Sequence, residues 1–135
     1  MTHVLRRTKR NISPTEIPDE YSECVAYFKW AQLNWLVREY LIHHVNEGKR
    51  SKTQGYYLNC IGLRKGLPDY QLPIPNENWL GLWIEMKTID QRNRKQKKEQ
   101  IEWIDRLIKI GHFATFAYGW QHAAEITMDY LNNKF

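Results

Sequence analysis

Cysteine is scarce in this chain: Cys24 and Cys60 are the two among 135 residues, enough for one disulfide at most. Neither belongs to a Cys-x-x-Cys pair, which excludes the usual thiolate zinc sites and redox motifs. Both read as ordinary thiols of an intracellular protein. Long apolar runs are lacking too. The longest falls well short of the roughly 20 residues a membrane helix needs, so no membrane partner is expected. The opening Met-Thr-His-Val-Leu-Arg-Arg has no apolar signal-peptide core, so the expected location is the cytoplasm. No internal repeat, low-complexity tract, helix-turn-helix or zinc finger is apparent, and no small-molecule cofactor is expected.

What is present describes a folded, basic domain. A 42% hydrophobic and 13% aromatic composition excludes an intrinsically disordered chain. The net charge of +5 favours a polyanionic partner without identifying it. Residues 1–19 carry Arg6, Arg7, Lys9 and Arg10, then Pro14 and Pro18. They read as a flexible basic arm, either a plain tail or a DNA-contacting one. Residues 20–135 read as one domain.

Hydrophobic spacing lays out the elements. Tyr21 to Leu41 has no Gly or Pro and predicts one long amphipathic helix, with Val25, Phe28, Ala31, Trp35 and Leu36 on its apolar face and Asp19 or Ser22 as cap. Glu23 lies in its first turn, where the macrodipole favours any acid. Leu41 to Val45 is a short strand or the frayed helix end. Its adjacent His43 and His44 have no further His or Cys at ligand spacing, so one is expected packed and the other solvated. A polar basic loop with Lys49, Arg50 and Lys52 follows. Thr53 to Ile61 predicts a short helix stopped by Gly62. Tyr70–Ile74 and Trp79–Thr88 predict paired strands, with Pro73 at a sheet edge and the second strand apolar enough on both faces to be central. After the basic run Arg92, Arg94, Lys95, Lys97 and Lys98, a helix is predicted over Glu99–Ile110 with Gly111 as its stop. A strand over His112–Tyr118 and a closing helix over Trp120–Leu131 complete a mixed α/β sheet flanked by helices.

The chemistry concentrates where the two paired runs meet. Asp69 follows Pro68 at the start of one run, and Glu85-Met-Lys87 closes the other. Alternate residues of a strand share a face, so Glu85 and Lys87 project together. A hairpin would bring Asp69 opposite Glu85. Two hard carboxylates, with the Met86 carbonyl as a further oxygen, suit Mg2+ or Mn2+. Such an ion lowers the pKa of a bound water, and an adjacent ammonium steadies the charge of a phosphodiester transition state. Taken singly, Glu-x-Lys also describes a surface ion pair, and Pro-Asp a common turn.

The ordered set Asn46-Glu-Gly-Lys-Arg-Ser, Gly66-Leu-Pro-Asp69, Ile84-Glu85-Met-Lys87 and Glu99-Gln100 ahead of a helix ending in Gly111 resembles the VRR-NUC family of the PD-(D/E)xK nuclease superfamily, in particular its small stand-alone phage and bacterial members. The resemblance spans about Ser22 to Leu131. It implies a restriction-endonuclease-like α/β fold with an α-β-β-β-α-β core, and a Mg2+- or Mn2+-dependent nuclease of a bacterial or phage-infected cell. By the same resemblance Asp69 and Glu85 are metal ligands, Lys87 is the catalytic lysine, Gln100 supports the site, and Glu23 is an additional ligand. It also implies structure-selective cutting of branched, Holliday-junction-like DNA by a homodimer. The chain departs from the pattern three residues before Gln100. The family commonly has Ser or Thr there, a natural N-cap; this chain has Lys97, so an earlier helix start, with Gln100 shifted, is expected. Lys49, Arg50, Lys52, Arg64, Lys65, Arg92, Arg94, Lys95 and Lys97 are the expected phosphate contacts, favouring shape over sequence. The competing readings are a less selective nicking or restriction-like endonuclease, and a non-catalytic nucleic-acid-binding protein using its basic face alone.

Overall fold

The computed structural model describes residues 17–45 and 51–135. Most of the basic arm, and Lys49 and Arg50 of the first basic loop, lie outside the described residues. Asp19 caps helix α1 (Glu20–Ala31), its carboxylate accepting from Ser22 N at 2.8 Å. This bond holds the Asp19 pKa below its ordinary value. A short helix α2 (Trp35–Tyr40) and strand β1 (Ile42–His43) follow, then helix α3 (Lys52–Cys60). Strands β2 (Tyr70–Leu72) and β3 (Leu82–Lys87) come next. A 3-10 turn at Ile89–Asn93, helix α4 (Lys98–Lys109), strand β4 (Phe113–Tyr118) and helix α5 (Trp120–Leu131) complete the order. No helix among the described residues is long and apolar enough to cross a membrane.

Among the described residues the four strands form one mixed sheet in the order β1-β2-β3-β4, with β1-β2 and β2-β3 antiparallel and β3-β4 parallel. The parallel pair is joined through α4, the crossover such a pair requires. Every residue of β3 is buried, and its alternation splits the core in two. Leu82, Ile84 and Met86 pack with Tyr27, Leu72, Ala117, Ala123 and Tyr130 on the side of α1 and α5. Trp83 packs with Ile104, Leu107 and Ala114 on the side of α4. Each fully buried Leu, Ile or Met of this strand contributes about 1.5–3 kcal/mol. The mixed sheet flanked by helices is the fold class expected from the sequence.

Three local expectations are corrected. The single helix over Tyr21–Leu41 is broken, because the Asn34 side chain accepts from Leu36 N (3.1 Å) and Val37 N (3.3 Å) and opens α2 afresh. Its apolar face is also different. Val25 is 36% and Phe28 50% exposed, while Ala31 faces inward as expected, together with Glu23 and Tyr27. Tyr27 can be buried because its hydroxyl bonds with Thr127 Oγ1 of α5 at 2.7 Å. The strand over Trp79–Thr88 starts only at Leu82, since Asn76 Oδ1 accepts from Asn78 N (2.9 Å) and Trp79 N (2.8 Å) and holds those residues in a turn. The short helix before Gly62 and the closing helix lie where the periodicity put them. Pro73 falls just past the last ladder pair of β2, where β1 has already ended. Of the two histidines, His44 stacks on Trp83 (5.3 Å) and bonds Gln71 (2.9 Å), while His43 is exposed beside the Tyr70 ring.

Candidate active site

Backbone geometry brings the acidic residues together. Tyr70 pairs with Ile84 in an antiparallel ladder, so the next position outward sets Asp69 against Glu85. The Asp69 carbonyl accepts from His44 N at 2.7 Å, and its carboxylate Oδ2 accepts from Met86 N at 2.8 Å. Asp69 is thereby fixed at backbone and side chain by the strands on either side. The approach depends on Gly66, three residues earlier. It has φ +88°, and a Cβ there would stand 2.6 Å from the Glu99 carbonyl carbon at the start of α4. Only glycine fits both the positive φ and the contact.

Glu85 and Lys87 point from the face of β3 that meets α4. Glu85 is 2% exposed, and its Oε1 accepts from Gln100 Nε2 at 2.8 Å. Lys87 is 6% exposed, with Nζ 3.8 Å from Glu85 Oε1 and 3.8 Å from Glu20 Oε1. A lysine and two carboxylates therefore meet at the carboxyl end of β3, where Gly119 N also bonds the Lys87 carbonyl at 2.9 Å. Lys97 is the N-cap of α4, in extended conformation and with no side-chain cap bond. The helix begins at Lys98, one residue before the expected start, and Gln100 in its first turn reaches Glu85 all the same. Burial pushes the Cys24 thiol up to about 12, and the charges of Asp69, Glu20 and Glu85 add to the effect. Burial likewise raises the Tyr70 phenol.

Glu23 is placed differently from the other candidates. It is 3% exposed and its Oε2 makes a short bond from Trp120 N, the first residue of α5. The N-cap of α5 is Gly119, which has no side chain to offer, so an acid from α1 supplies the cap and answers the helix dipole. Gly119 has φ +87°, and a Cβ on it would meet Glu23 Oε2 at 2.7 Å. The helix terminus that Glu23 serves is α5's, not its own. Glu20, one turn earlier, instead reaches Lys87, a role the sequence reading did not assign. Its signal was present in the acid pair at i and i+3, which share a helix face.

Among the described residues no group of three or more His, Cys, Asp or Glu side chains converges as a ready cage for a metal ion. The donor chemistry nevertheless fits Mg2+ or Mn2+. Mg2+ is usually held by one or two carboxylates and keeps several waters. Asp69 and Glu85 supply the carboxylates, and the Met86 peptide lies against the first of them. Of the expected phosphate contacts, Lys52, Arg64, Lys65, Arg92, Arg94, Lys95 and Lys97 are exposed, and Lys49 and Arg50 lie outside the described residues. Lys52 opens α3, and Arg64 and Lys65 precede Gly66. Arg64 lies over the Trp103 ring at 5.0 Å and Lys65 is 3.8 Å from Glu99. Arg92 belongs to the 3-10 turn, Arg94 pairs with Asp90 at 3.5 Å, and Lys95 and Lys97 lead into α4.

Fold and site together define a mixed α/β domain with an Asp and a Glu-x-Lys brought to one end of a central strand. No family model and no curated protein matches the chain. Among solved structures it is similar to a VRR_NUC domain protein, at 22% identity over 85% of this chain and 89% of that one, with a TM-score of 0.73. The chain has the fold of that protein over most of both lengths.

Proposed function

We propose that this chain is a divalent-metal-dependent endodeoxyribonuclease of the VRR-NUC family. The observation that carries the reading is the Asp69 carboxylate bound to Met86 N, beside a buried Glu85 held between Gln100 and Lys87. The solved neighbour described as a VRR_NUC domain protein supports it. Asp69 and Glu85, with the Met86 carbonyl, would hold Mg2+ or Mn2+; Glu23 remains the further ligand the family resemblance proposes. Once bound, the ion would polarise a phosphodiester oxygen and acidify a water. Gln100 holds Glu85 in a single orientation by donating to Oε1. Lys87 places a positive charge next to both acids, where it can orient the attacking water and offset charge developing on the phosphoryl oxygens. Burial of Lys87 and Glu85 strengthens these electrostatic effects by excluding water.

The finer reading is a structure-selective enzyme acting on branched, Holliday-junction-like DNA as a homodimer in the cytoplasm of a bacterial or phage-infected cell. Two equivalent strands of a four-way junction match two active sites related by a two-fold axis. The exposed Val25 and Phe28 of α1, with Tyr21 on the same stripe, offer apolar surface for a second copy. Lys49, Arg50, Lys52, Arg64, Lys65, Arg92, Arg94, Lys95 and Lys97 would contact phosphates. The test is cleavage of labelled four-way junction, flap and linear duplex in Mg2+, Mn2+ or EDTA, with the solution mass measured in parallel. Metal-dependent cuts near the branch by a dimer are expected. Equal cutting of linear duplex would leave a less selective endonuclease, and binding without cutting under any metal would overturn the catalytic reading.

A further inference from the structure

Helix α3 is built unlike the rest of the molecule. None of its residues is buried, and Tyr56 and Tyr57 are 66% and 64% exposed. A nine-residue helix is marginal in water without packing, and Gly55 in its middle lowers its propensity further. Its local support is a capping box, in which Ser51 Oγ accepts from Gln54 N at 3.1 Å and Gln54 Oε1 accepts from Ser51 N at 3.3 Å. A helix that exposes adjacent aromatics and buries nothing of its own has a surface suited to a partner.

The charge around it says which partner. From Ser51 to Pro68 the chain carries Lys52, Arg64 and Lys65 and no acidic residue. All three cations are exposed. Behind α3 the chain is pinned to α4 by Arg64 over Trp103 (5.0 Å) and by the Gly66 contact with Glu99. Cys60, the last residue of α3, is nine residues from Asp69, a span of at most roughly 30 Å. A polyanion bound at Asp69 and extending by that length along the chain would reach the tyrosines.

We infer that α3 is a stacking platform for unpaired bases of the DNA substrate, with Tyr56 and Tyr57 receiving the bases and Lys52, Arg64 and Lys65 holding the flanking phosphates. This rests on the nuclease reading above and deepens it, naming as substrate class DNA with unstacked bases beside the scissile phosphate. Aromatic side chains stack on any base, so such a platform is indifferent to sequence, whereas a fully paired duplex keeps its bases inside the helix and offers the tyrosines nothing to stack on. The rings are themselves 5.8 Å apart and inclined by 65°, so they present a face and an edge rather than one continuous surface. The platform gives the enzyme a means of preferring a branch or flap to plain duplex.

The test compares binding of the full chain to two probes in EDTA, where no cutting occurs. One is a duplex with a short unpaired flap carrying 2-aminopurine, and the other is the same duplex fully paired. The native protein is expected to prefer the flap and to quench the 2-aminopurine fluorescence by stacking. In Tyr56→Ala and Tyr57→Ala the preference, taken as the ratio of the two Kd values, falls about tenfold each, and the quench is lost. Tyr56→Phe and Tyr57→Phe restore both, because the ring and not the hydroxyl is used. No buried contact is removed, so thermal unfolding stays at the native temperature. An unchanged ratio and quench in the alanine variants would overturn the proposal. So would a shift from dimer to monomer with DNA preference intact, which would assign the tyrosines to a second copy. The binding ratio is read without catalysis, so failure of the nuclease reading would show separately, as absence of cleavage by the native protein in Mg2+ and Mn2+.

Discussion

Replacing Gly66 by alanine tests whether the loop between α3 and β2 sets the position of Asp69. Two costs arise. At φ +88° an L-residue is strained by about 1–2 kcal/mol. The new Cβ would also lie 2.6 Å from the Glu99 carbonyl carbon and 2.7 Å from its oxygen. Those are backbone atoms of the first turn of α4, so relief requires the loop or the helix end to move, an overpacking cost of about 1–3 kcal/mol. Together they predict a loss of about 3 kcal/mol, or roughly 10 °C in Tm for a domain of this size. Gly62→Ala is the control. It has φ +99° but nothing within 4 Å of its Cβ, so it carries the strain alone and should lose about 1–2 kcal/mol. Urea unfolding of both variants measures the difference. The same displacement is passed to Asp69 three residues on, and a misplacement near 1 Å costs on the order of a hundredfold in rate. If Gly66→Ala were no less stable than Gly62→Ala, the close approach to α4 would not be what holds the loop.

Further outcomes follow from the same geometry. Glu23→Ala removes the cap of α5 and leaves Trp120 N without it, so a loss of about 2–3 kcal/mol is expected, with Glu23→Gln recovering part of it; a neutral alanine variant in urea unfolding would contradict the cap. The exposed Cys60 should react quickly with a thiol reagent at pH 8, while Cys24, its thiol pushed up to about 12 from an ordinary 9.0, holds roughly a thousandfold less thiolate and should react only on unfolding. Two equally fast thiols would contradict that. Because the folded value of Cys24 lies above the unfolded one, its contribution to stability is complete below pH 9 and is lost as pH climbs towards 12. Urea midpoints measured across that window should fall with pH, and fall less steeply in Cys24→Ala.

The arrangement of the candidate site was legible from sequence because its parts are local. Glu85 and Lys87 are two apart on a strand, so alternation alone puts them on one face. Asp69 stands at a Pro corner one position outside the ladder, so a hairpin sets it opposite Glu85. Gln100 came from family resemblance, and its bond to Glu85 depends on the α4 entry, where Lys97 gives no cap signal. The first helix was misread for a different reason. Its apolar spacing picks out Val25, Phe28 and Ala31, yet of these Ala31 alone is buried, on an inward stripe with Glu23 and Tyr27. Glu23 and Tyr27 are made tolerable inside by Trp120 N and Thr127, roughly a hundred residues away, and no local pattern contains that information. The break at Asn34 was equally hidden, since asparagine is unremarkable in a helical run until its side chain turns to the following amides. α3 was placed correctly by its ends, although its lack of any buried face is a tertiary fact.

The most direct test of the central claim is single-turnover cleavage of branched DNA by the native chain, Asp69→Asn and Lys87→Ala, each with Mg2+, Mn2+ or EDTA, at protein concentrations where binding is saturated. Native cutting that requires the metal, with a loss of at least on the order of a hundredfold in both variants while they still bind the DNA, is the predicted result. Cutting that persists in EDTA, or an Asp69→Asn variant as fast as native, would contradict it.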